Sequence, residues 1–544
     1  MKYIFPKRIV QSSQIDSISS LLNKDYLQVD IDCGNSIYFK DKDFVIFDFG
    51  KEISGGIRLL TSSFDPKGKV RIRFGESIGE CSSELGEFHS TNDHSPRDFC
   101  VTLPFMSDLT FGETGFRFVR LDFFGEYWNI QHIVAASDID ERKEVGVFKS
   151  NDKLLNKIWS TASYTLRLNL HNGLIWDGVK RDRLCWIGDA YNEIESLKCL
   201  YKKQEEIKNV LEFCKKSAVN IEDFSNMIPS SYCLWWIIIL LEKYIHDGDG
   251  IYLNNNKDNI LKILTFIDSK IDKNGNVILP FNFVDWPTHP LINVETIKEN
   301  DEIVGVNSLT LITCNKINDT FLKLNDHSFE TIINEIKDKI KRSTNKVLKF
   351  KQVAALAYLA NSEDENAYTI LTNGGAHGFS TFQSYVILKA LAKANKQNES
   401  IKIIKEYYGK MLELGATTFF EDFDVDWAIN ASRIDEITPE EKIDFHATHG
   451  QFCYKGYRHS LCHGWSTGVI PYLVEEIVGL KQIDKNTFIL SPCLGELKDI
   501  YYVYPLNKNK QNIKIHIINK DGNYEIKVDH PKEVTINIIK GGKK

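Results

Sequence analysis

The spacing of apolar residues changes twice along this chain of 544 residues, and no other feature constrains the fold as strongly. In the first part, Val70, Ile72 and Phe74 alternate with charged residues, and a period of two predicts β-strands with one buried face. From Leu154 onward the apolar residues recur at helical spacing, and after residue 478 the alternation returns. The sequence therefore predicts three domains, comprising residues 1–145, 146–478 and 479–544.

Both ends of the chain are predicted to form β structure, a sandwich at the N-terminal end and a small β domain at the C-terminal end. The apolar residues of the run Phe116–Phe123 alternate with one slip, which predicts a β-bulge. Near the C-terminus, Ile513–Ile517 and Tyr524–Val528 alternate on either side of Asp521-Gly522, a pair typical of a tight hairpin turn. Several short strands joined by turns favour a sandwich.

The central domain is predicted to be helical. Its first helix starts near Leu154 with Ser150 or Asn151 as the N-cap, and the apolar run around Trp235 and Trp236 predicts core packing. A helical region of about 330 residues is too large for a simple bundle and suits a closed ring of helical hairpins whose mouth is lined by loops. Further helices are predicted near 190–201, 203–217, 232–246, 257–270, 328–342, 350–361, 380–395, 399–414 and 467–478.

Composition and charge exclude several classes of function. Acidic residues outnumber basic ones by 74 to 67, and a net charge of −7 argues against a nucleic-acid-binding protein. The longest apolar run, Tyr232–Leu241, is shorter than the ~18 residues typical of a membrane span. The N-terminus lacks the pattern of a signal peptide, and the 11 cysteines form no C-x-x-C pair. We therefore expect a reduced, cytoplasmic protein without a membrane segment.

The segment from Trp176 to Asp189, WDGVKRDRLCWIGD, is the most polar in the chain. Its aspartates, cations and tryptophans do not follow helical amphipathicity. Carboxylates bind hydroxyl groups or transfer protons, and an indole ring packs on the apolar face of a sugar, so the segment predicts a carbohydrate pocket. The alternative is a salt-bridged loop in which Asp177-Gly178 forms a turn and Asp189 caps a helix.

This segment resembles the signature of the bacterial α-L-rhamnosidases of glycoside hydrolase family 78. That signature consists of Asp, three residues, Arg-Glu-Arg, two residues, Trp, one residue and Gly-Asp. The sequence differs from it at Asp182, which replaces the glutamate usually taken as the general acid. The positions that match in spacing are Asp177, Arg181, Arg183, Trp186, Gly188 and Asp189.

Three shorter segments also resemble the family. Gly415–Glu421 is similar to Gly-Ala-Thr-Thr-x-Trp-Glu, which ends in the general base, although Phe420 replaces the tryptophan. His463 is similar to a histidine at the entrance to a late barrel helix, and Asp285-Trp286 to an Asp-Trp pair in a mid-barrel loop. The resemblance implies an (α/α)6 six-hairpin barrel flanked by N-terminal and C-terminal antiparallel β-sandwich domains.

The resemblance also implies an inverting glycosidase that removes terminal rhamnose from oligosaccharides or small glycosides by general acid/base catalysis. Asp182 would be the acid and Glu421 the base. Arg181 would bind a sugar hydroxyl or an aspartate, and Trp186 would form the apolar wall. The residues expected to bind substrate are Asp177, Arg181, Trp186, Asp189, Asp285, Trp286 and His463.

The aspartate at position 182 leaves alternatives open, because its side chain is one methylene shorter than that of glutamate. The loop could lie further inward, the substrate could sit deeper or be a different sugar, or another residue could be the acid. The alternative functions are a glycosidase of the same fold acting on another deoxy-sugar or a uronic-acid-linked glycan, and a non-catalytic carbohydrate-binding relative.

Other residues have two interpretations when they are taken alone. Glu421 could be an exposed acid and His463 a buried structural histidine. The stretch Asn92–Ser95 could be a loop that reaches the active site or a turn rich in Asx residues. Because no carboxylate or cysteine accompanies the C-terminal histidines at zinc spacing, we expect no metal. We also expect no cofactor, a carbohydrate as the partner, neither nucleic acid nor membrane, and a chain compatible with a homodimer.

Overall fold

The computed structural model describes residues 2–24, 26–32, 36–62, 68–181, 183–289, 296–506 and 511–539. In these ranges, no helix has both the length and the apolar character needed to cross a bilayer. No disulfide joins the cysteines within the same ranges.

The N-terminal domain is built on a sheet of order β1-β9-β4-β7-β5-β6, with β2 paired to β4, and every described pairing in it is antiparallel. A separate pair, β3 and β8, covers one face of the sheet and encloses the core. The strands, with one short helix, are β1 (Lys2–Ile4), β2 (Arg8–Ser12), β3 (Ile37–Phe39), β4 (Phe44–Thr61), β5 (Lys69–Gly75), α1 (Ile78–Ser82), β6 (Asp98–Val101), β7 (Ser107–Phe124), β8 (Trp128–Ile130) and β9 (His132–Ser137).

The slip in the alternation of β7 reflects burial on both faces of this sheet. Phe116 packs in the sandwich core, whereas Phe118 packs on the opposite face against Ile78 of α1. The register of β7 against β4 shifts between Asp48 and Ile53, so the irregularity that the sequence predicts involves extra residues on the partner strand.

The central domain consists mainly of helices that pack as a ring. Along its inner side α6 packs on α9, α9 on α11, α11 on α13, α13 on α16 and α16 on α3. Tyr191 of α3 lies 4.9 Å from Trp235 of α6 between ring centroids, which joins the ends of this series. The helices are α2 (Lys153–Asn169), α3 (Ala190–Leu200), α4 (Glu206–Val219), α5 (Ile221–Phe224), α6 (Tyr232–Asp247), α7 (Gly250–Asn255), α8 (Lys257–Ser269), α9 (Thr296–Lys323), α10 (Glu330–Ile340), α11 (Lys351–Ala360), α12 (Glu365–Thr372), α13 (Ser384–Lys393), α14 (Gln397–Glu413), α15 (Phe445–Thr448) and α16 (Val469–Tyr472), which continues as a π-helix over Leu473–Val478.

One long helix and five short ones escaped the sequence analysis, and one cap differs from it. The N-cap of α2 is Asp152, whose side chain accepts hydrogen bonds from the amides of Leu154 and Leu155, rather than Ser150 or Asn151. The missed helices are the long α9 and the short α1, α5, α7, α12 and α15. In α9 the apolar pattern is broken by buried threonines at 310 and 313, whose hydroxyls donate to carbonyls four residues earlier.

The C-terminal domain contains two sheets, of order β10-β15-β16-β17 and β13-β14-β18. The hairpin turn at Asp521-Gly522 is confirmed, with φ of 53° and 93°. Antiparallel pairing is wrong for β14 and β18, which are parallel because the other sheet lies between them in sequence and supplies the long connection. The strands are β10 (Val147–Ser150), β13 (Leu480–Asp484), β14 (Thr487–Leu490), β15 (Asp499–Tyr504), β16 (Ile513–Lys520), β17 (Asn523–Asp529) and β18 (Thr535–Ile538); β11 (Leu170–His171) and β12 (Leu174–Ile175) form a hairpin after α2.

The C-terminal sheets share one apolar core with the helices. Strand β10, which the sequence places at the start of the helical domain, pairs with β15. Tyr502 of β15 packs edge-on against Trp159 of α2, with 5.8 Å between the ring centroids. This packing fixes the first helix of the ring against the C-terminal domain.

Candidate active site

A cavity of about 240 Å³ opens at the end of the helical ring that faces the N-terminal domain. It is smaller than the ~300–1,000 Å³ typical of sites for drug-sized ligands, so its size suits a single sugar ring. Most of the sequence-predicted site residues line it: Asp177, Arg181, Trp186, Asp189, Trp286, Glu421 and His463. Asp182, the predicted general acid, lies outside the described residues.

The conformation of the polar segment is fixed by Asp177. Its Oδ1 accepts hydrogen bonds from the amides of Gly178, at 2.7 Å, and Leu184, at 2.9 Å, so the two ends of the intervening loop are tied together. From the N-terminal domain, Thr114 donates its hydroxyl to the carbonyl of Lys180 at 2.9 Å. A Cβ at Gly115 would lie 2.8 Å from the Lys180 amide, so only glycine permits strand β7 to approach this closely. The N-terminal domain therefore supports the loop that carries Arg181.

Glu421 is buried, with 3% of its surface exposed, so the interpretation as an exposed acid is wrong. Its Oε1 lies 2.6 Å from an Arg181 Nη2, and its Oε2 accepts a hydrogen bond from the amide of Ser460 at 3.1 Å. The Nε2 of His463 lies 3.9 Å from the same Oε1. Arg181 thus binds the carboxylate of Glu421. This carboxyl group is therefore held in one orientation by a guanidinium group and a backbone amide.

Asp177, Asp189 and His463 place one side-chain ligand atom each within 4.8 Å of one another, and all three are buried. Asp189 accepts a hydrogen bond from the hydroxyl of Tyr232 at 3.0 Å. Its backbone is helical and its side chain does not cap α3, so the alternative role as an N-cap is wrong. The sequence analysis found no carboxylate near the histidines because these aspartates lie more than 270 residues earlier in the chain.

Several residues of the cavity were not identified from the sequence. Tyr232 starts the apolar helix α6, and Arg458 and Trp465 lie in two short 3-10 helices, Gly456–Arg458 and Gly464–Gly468. Arg458 donates to the Oδ2 of Asp93 at 2.9 Å, and the neighbouring His94 lines the cavity. The stretch Asn92–Ser95 is therefore a loop that reaches the active site, one of the two interpretations left open above.

Glu193 lies on α3 one turn after Asp189 and is only 1% exposed. Among the residues that the structure describes, its Oε1 has no hydrogen-bond partner, and a Cβ at Gly464 would lie 1.9 Å from this atom. Burial, followed by the charges of Asp189 and Asp177, raises the pKa of Glu193 well above its usual range. The sequence analysis did not single out this buried carboxyl group, which lies beside Gly464, between the cavity residues His463 and Trp465.

Two residues next to the cavity, Asp285 and Phe420, do not line it. Asp285 is not among the residues that line the cavity, although Trp286 is. Its Oδ2 accepts a hydrogen bond from the hydroxyl of Ser380 at 2.6 Å, and its Oδ1 accepts one from the amide of Trp286 at 2.7 Å. Asp285 therefore orients the tryptophan rather than contacting the cavity. Phe420, in the position of the family's tryptophan, is fully buried and stacks on Phe445.

Replacing Asp285 by asparagine is expected to change how stability depends on pH. Burial raises the pKa of Asp285 to about 7, from 3.8. Between these values the folded protein holds a proton that the unfolded chain has lost, so this group lowers stability as pH rises from about 4 to 7. In Asp285→Asn the decline should be shallower by up to ~1.4 kcal/mol per pH unit, the value for one proton.

The measurement is urea unfolding at pH 4.5, 5.5 and 6.5. The asparagine carbonyl oxygen can still accept the hydrogen bond from the Trp286 amide while its NH2 group donates to the Ser380 hydroxyl, so the main change is the loss of the titrating proton. Asp319→Asn, at an exposed position on α9, is the control and should keep the wild-type slope. Equal slopes in wild type and Asp285→Asn would contradict the raised pKa.

A family model described as the bacterial α-L-rhamnosidase six-hairpin glycosidase domain matches residues 143–342. This match covers the polar segment and the first half of the helical ring. A search of the curated proteins finds no match.

Solved structures share the fold at low sequence identity. The family 78 rhamnosidase of Bacillus sp. GL1 superposes with a TM-score of 0.73 at 18% identity, covering 96% of this chain and 55% of that one. A rhamnosidase from Klebsiella oxytoca with rhamnose bound gives 0.65 at 14%, covering 87% and 95%. The Streptomyces avermitilis α-L-rhamnosidase complexed with L-rhamnose gives 0.67 at 14%, covering 99% and 50%. The chain thus spans about half the length of the Bacillus and Streptomyces enzymes.

Proposed function

We propose that this chain, a member of the bacterial α-L-rhamnosidases with a six-hairpin glycosidase domain, removes terminal α-L-rhamnose from an oligosaccharide or small glycoside. The observation that carries the proposal is the single cavity lined by Glu421, Asp177, Asp189, Trp186 and His463, which come from distant parts of the chain. Carboxylates for hydroxyl groups and aromatic rings for an apolar sugar face are what one terminal sugar requires.

Glu421 is proposed as the general base. Arg181 and the Ser460 amide hold its carboxylate at the wall of the cavity, where it can take a proton from water attacking the anomeric carbon. The oxocarbenium-like charge that develops would be stabilised by Asp177 and Asp189, and His463 would donate to a sugar hydroxyl or to the water. Trp186 and Trp286 would enclose the ring.

Asp182 is proposed as the general acid on the basis of its position in the sequence signature. Two residues that flank it in sequence, Gly178 and Leu184, both donate their amides to Asp177. Protonation of the leaving oxygen by Asp182, with attack of water from the side of Glu421, would invert the anomeric configuration.

Purified protein with an aryl α-L-rhamnoside tests this proposal. The wild type should release L-rhamnose whose first-formed anomer, followed by proton NMR, is β. Asp182→Asn should lower kcat by about 10²–10⁴-fold for a glycoside with a poor leaving group, and by much less for a nitrophenyl rhamnoside, because that aglycone leaves without protonation. Asp521→Asn, in the exposed C-terminal turn, is the control.

Retention of full activity in Asp182→Asn on both substrates would transfer the acid role to another residue. An α product would contradict inversion, and stable binding of the rhamnoside without turnover would favour a carbohydrate-binding protein.

We further propose that the ring of helices closes as an (α/α)6 barrel between two sandwiches. A cytoplasmic location and a homodimer stay predictions from the sequence.

A further inference from the structure

A second cavity, of about 690 Å³, adjoins the first one. Three pairs of consecutive residues contribute one member to each cavity: Trp286 and Pro287, Glu421 and Asp422, and Cys453 and Phe452. The rings of Trp286 and Phe452 are nearly parallel, with 6.0 Å between their centroids. A ligand unit in the second cavity would therefore lie next to a sugar held in the first.

The second cavity is lined by three lysines, at positions 298, 349 and 351. Lys298 is only 8% exposed, and no hydrogen bond or ion pair to its ammonium group is found among the described residues; the nearest recorded contact is the ring of Phe452, at 5.7 Å. Lys351 is 5% exposed and donates to the carbonyls of Gly375, at 2.6 Å, and His377, at 2.8 Å. Within the described ranges, none of the three lysines lies at ion-pair distance from a carboxylate.

An ammonium group that is buried without a counter-ion costs free energy, and a bound anion would offset this cost. Burial lowers the pKa of Lys351 to about 8, so the group stays mostly charged at neutral pH. The lining sets three lysines against two carboxyl groups, those of Asp422 and Asp424. Burial and the nearby Asp285 raise the pKa of Asp422 well above its usual range, which favours the neutral form of this group and weakens its repulsion of an anion.

Aromatic rings complete the lining. Trp427 and Phe452 border the cavity together with the lysines, and such rings pack against the apolar faces of sugars. We propose that the second cavity binds an anionic sugar unit, carrying a carboxylate or a sulfate, next to the sugar held in the catalytic cavity. This inference rests on the proposed glycosidase function for the identity of its ligand as part of a saccharide.

The test compares methyl β-D-glucuronide with methyl β-D-glucoside, which differ only in the carboxylate, by ligand-observed NMR titration with saturating L-rhamnose in the catalytic cavity. We expect the glucuronide to bind about tenfold more tightly, the low end of the range for a hydrogen bond to a charged group. The preference should shrink as salt rises from 20 to 300 mM. Glucose 6-sulfate forms a third arm, which distinguishes a sulfate from a carboxylate.

Lys298→Met keeps the apolar stem and removes the charge, and it should reduce the tenfold preference to less than about threefold. Lys402→Met, at an exposed position on α14 outside the cavity, should keep the preference. Lys349→Met is the second variant. Residue 349 is exposed, so its substitution should leave the fold intact. Thermal unfolding of each variant checks that it is folded.

Equal binding of the glucuronide, the sulfate and the glucoside would overturn the inference, and so would a preference that survives in both Lys298→Met and Lys349→Met. Failure of the proposed function has a different signature. In that case no rhamnoside is hydrolysed, while a lysine-dependent preference for the anionic sugar would still support an anion site in this cavity.

Discussion

Replacing Glu421 by glutamine is expected to lower kcat for an aryl α-L-rhamnoside by about 10²–10⁴-fold, the usual contribution of a general base. Glutamine has nearly the same shape and can still accept the hydrogen bond from the Ser460 amide, which Glu421 accepts at 3.1 Å. It cannot take a proton from water. Binding of L-rhamnose should change little by comparison, because the substituted group acts on the attacking water.

Two further measurements separate catalysis from structure. Glu413→Gln, at an exposed position at the end of α14, should keep wild-type kcat. In Glu421→Ala the space left by the side chain can admit azide, which needs no deprotonation to attack the anomeric carbon. Azide should therefore restore turnover of an activated rhamnoside and yield a rhamnosyl azide of inverted configuration. Near-normal kcat in Glu421→Gln would remove Glu421 from the role of base.

Replacing Lys180 by methionine is expected to cost about 3–5 kcal/mol of unfolding free energy, the usual loss when one partner of a buried ion pair is removed. Lys180 lies between the N-terminal and helical domains, 5% exposed. Its Nζ is 3.0 Å from the Oε2 of Glu76 and 3.2 Å from the Oε1 of Glu80, and both carboxyl groups are buried. It also donates to the carbonyls of Tyr457, at 2.9 Å, and His459.

The same variant should lower kcat, although Lys180 does not line the catalytic cavity. Glu76 accepts a hydrogen bond from the amide of Leu461 at 2.6 Å, and the preceding residue, Ser460, donates its amide to Glu421. Without the lysine, Glu76 would hold Leu461 less firmly. The neighbouring Ser460 amide would then hold the carboxylate of Glu421 less firmly as well. Lys180 is thus a positioning residue for Glu421.

Urea unfolding and kcat should be measured together for Lys180→Met, with Lys402→Met as the surface control. Adding Glu76→Gln to Lys180→Met should recover part of the lost stability, because it removes one of the uncompensated buried charges. A loss below about 1 kcal/mol, or no recovery in the double variant, would contradict a buried ion pair that supports the interface.

The sequence was most informative where chemistry is concentrated in a short segment. The sequence singles out the segment from Trp176 to Asp189 together with Glu421 and His463, and in the structure one cavity is lined by both of these residues and by Asp177, Arg181, Trp186 and Asp189 of the segment. Helices with a regular apolar period, such as α4 and α8, were also placed within a few residues. The resemblance to bacterial α-L-rhamnosidases is confirmed by the family match over residues 143–342.

Tertiary structure decided what no local pattern encodes. The contact of Arg181 with Glu421 joins residues 240 positions apart, and the approach of Asp93 to Arg458 joins two domains over 365 positions. Strand β10 pairs with β15 across the whole helical domain. Periodicity reports only which side of an element is buried, whereas these contacts depend on how distant elements pack. The sequence by itself determined the segments that carry the chemistry, and packing determined which of their side chains meet.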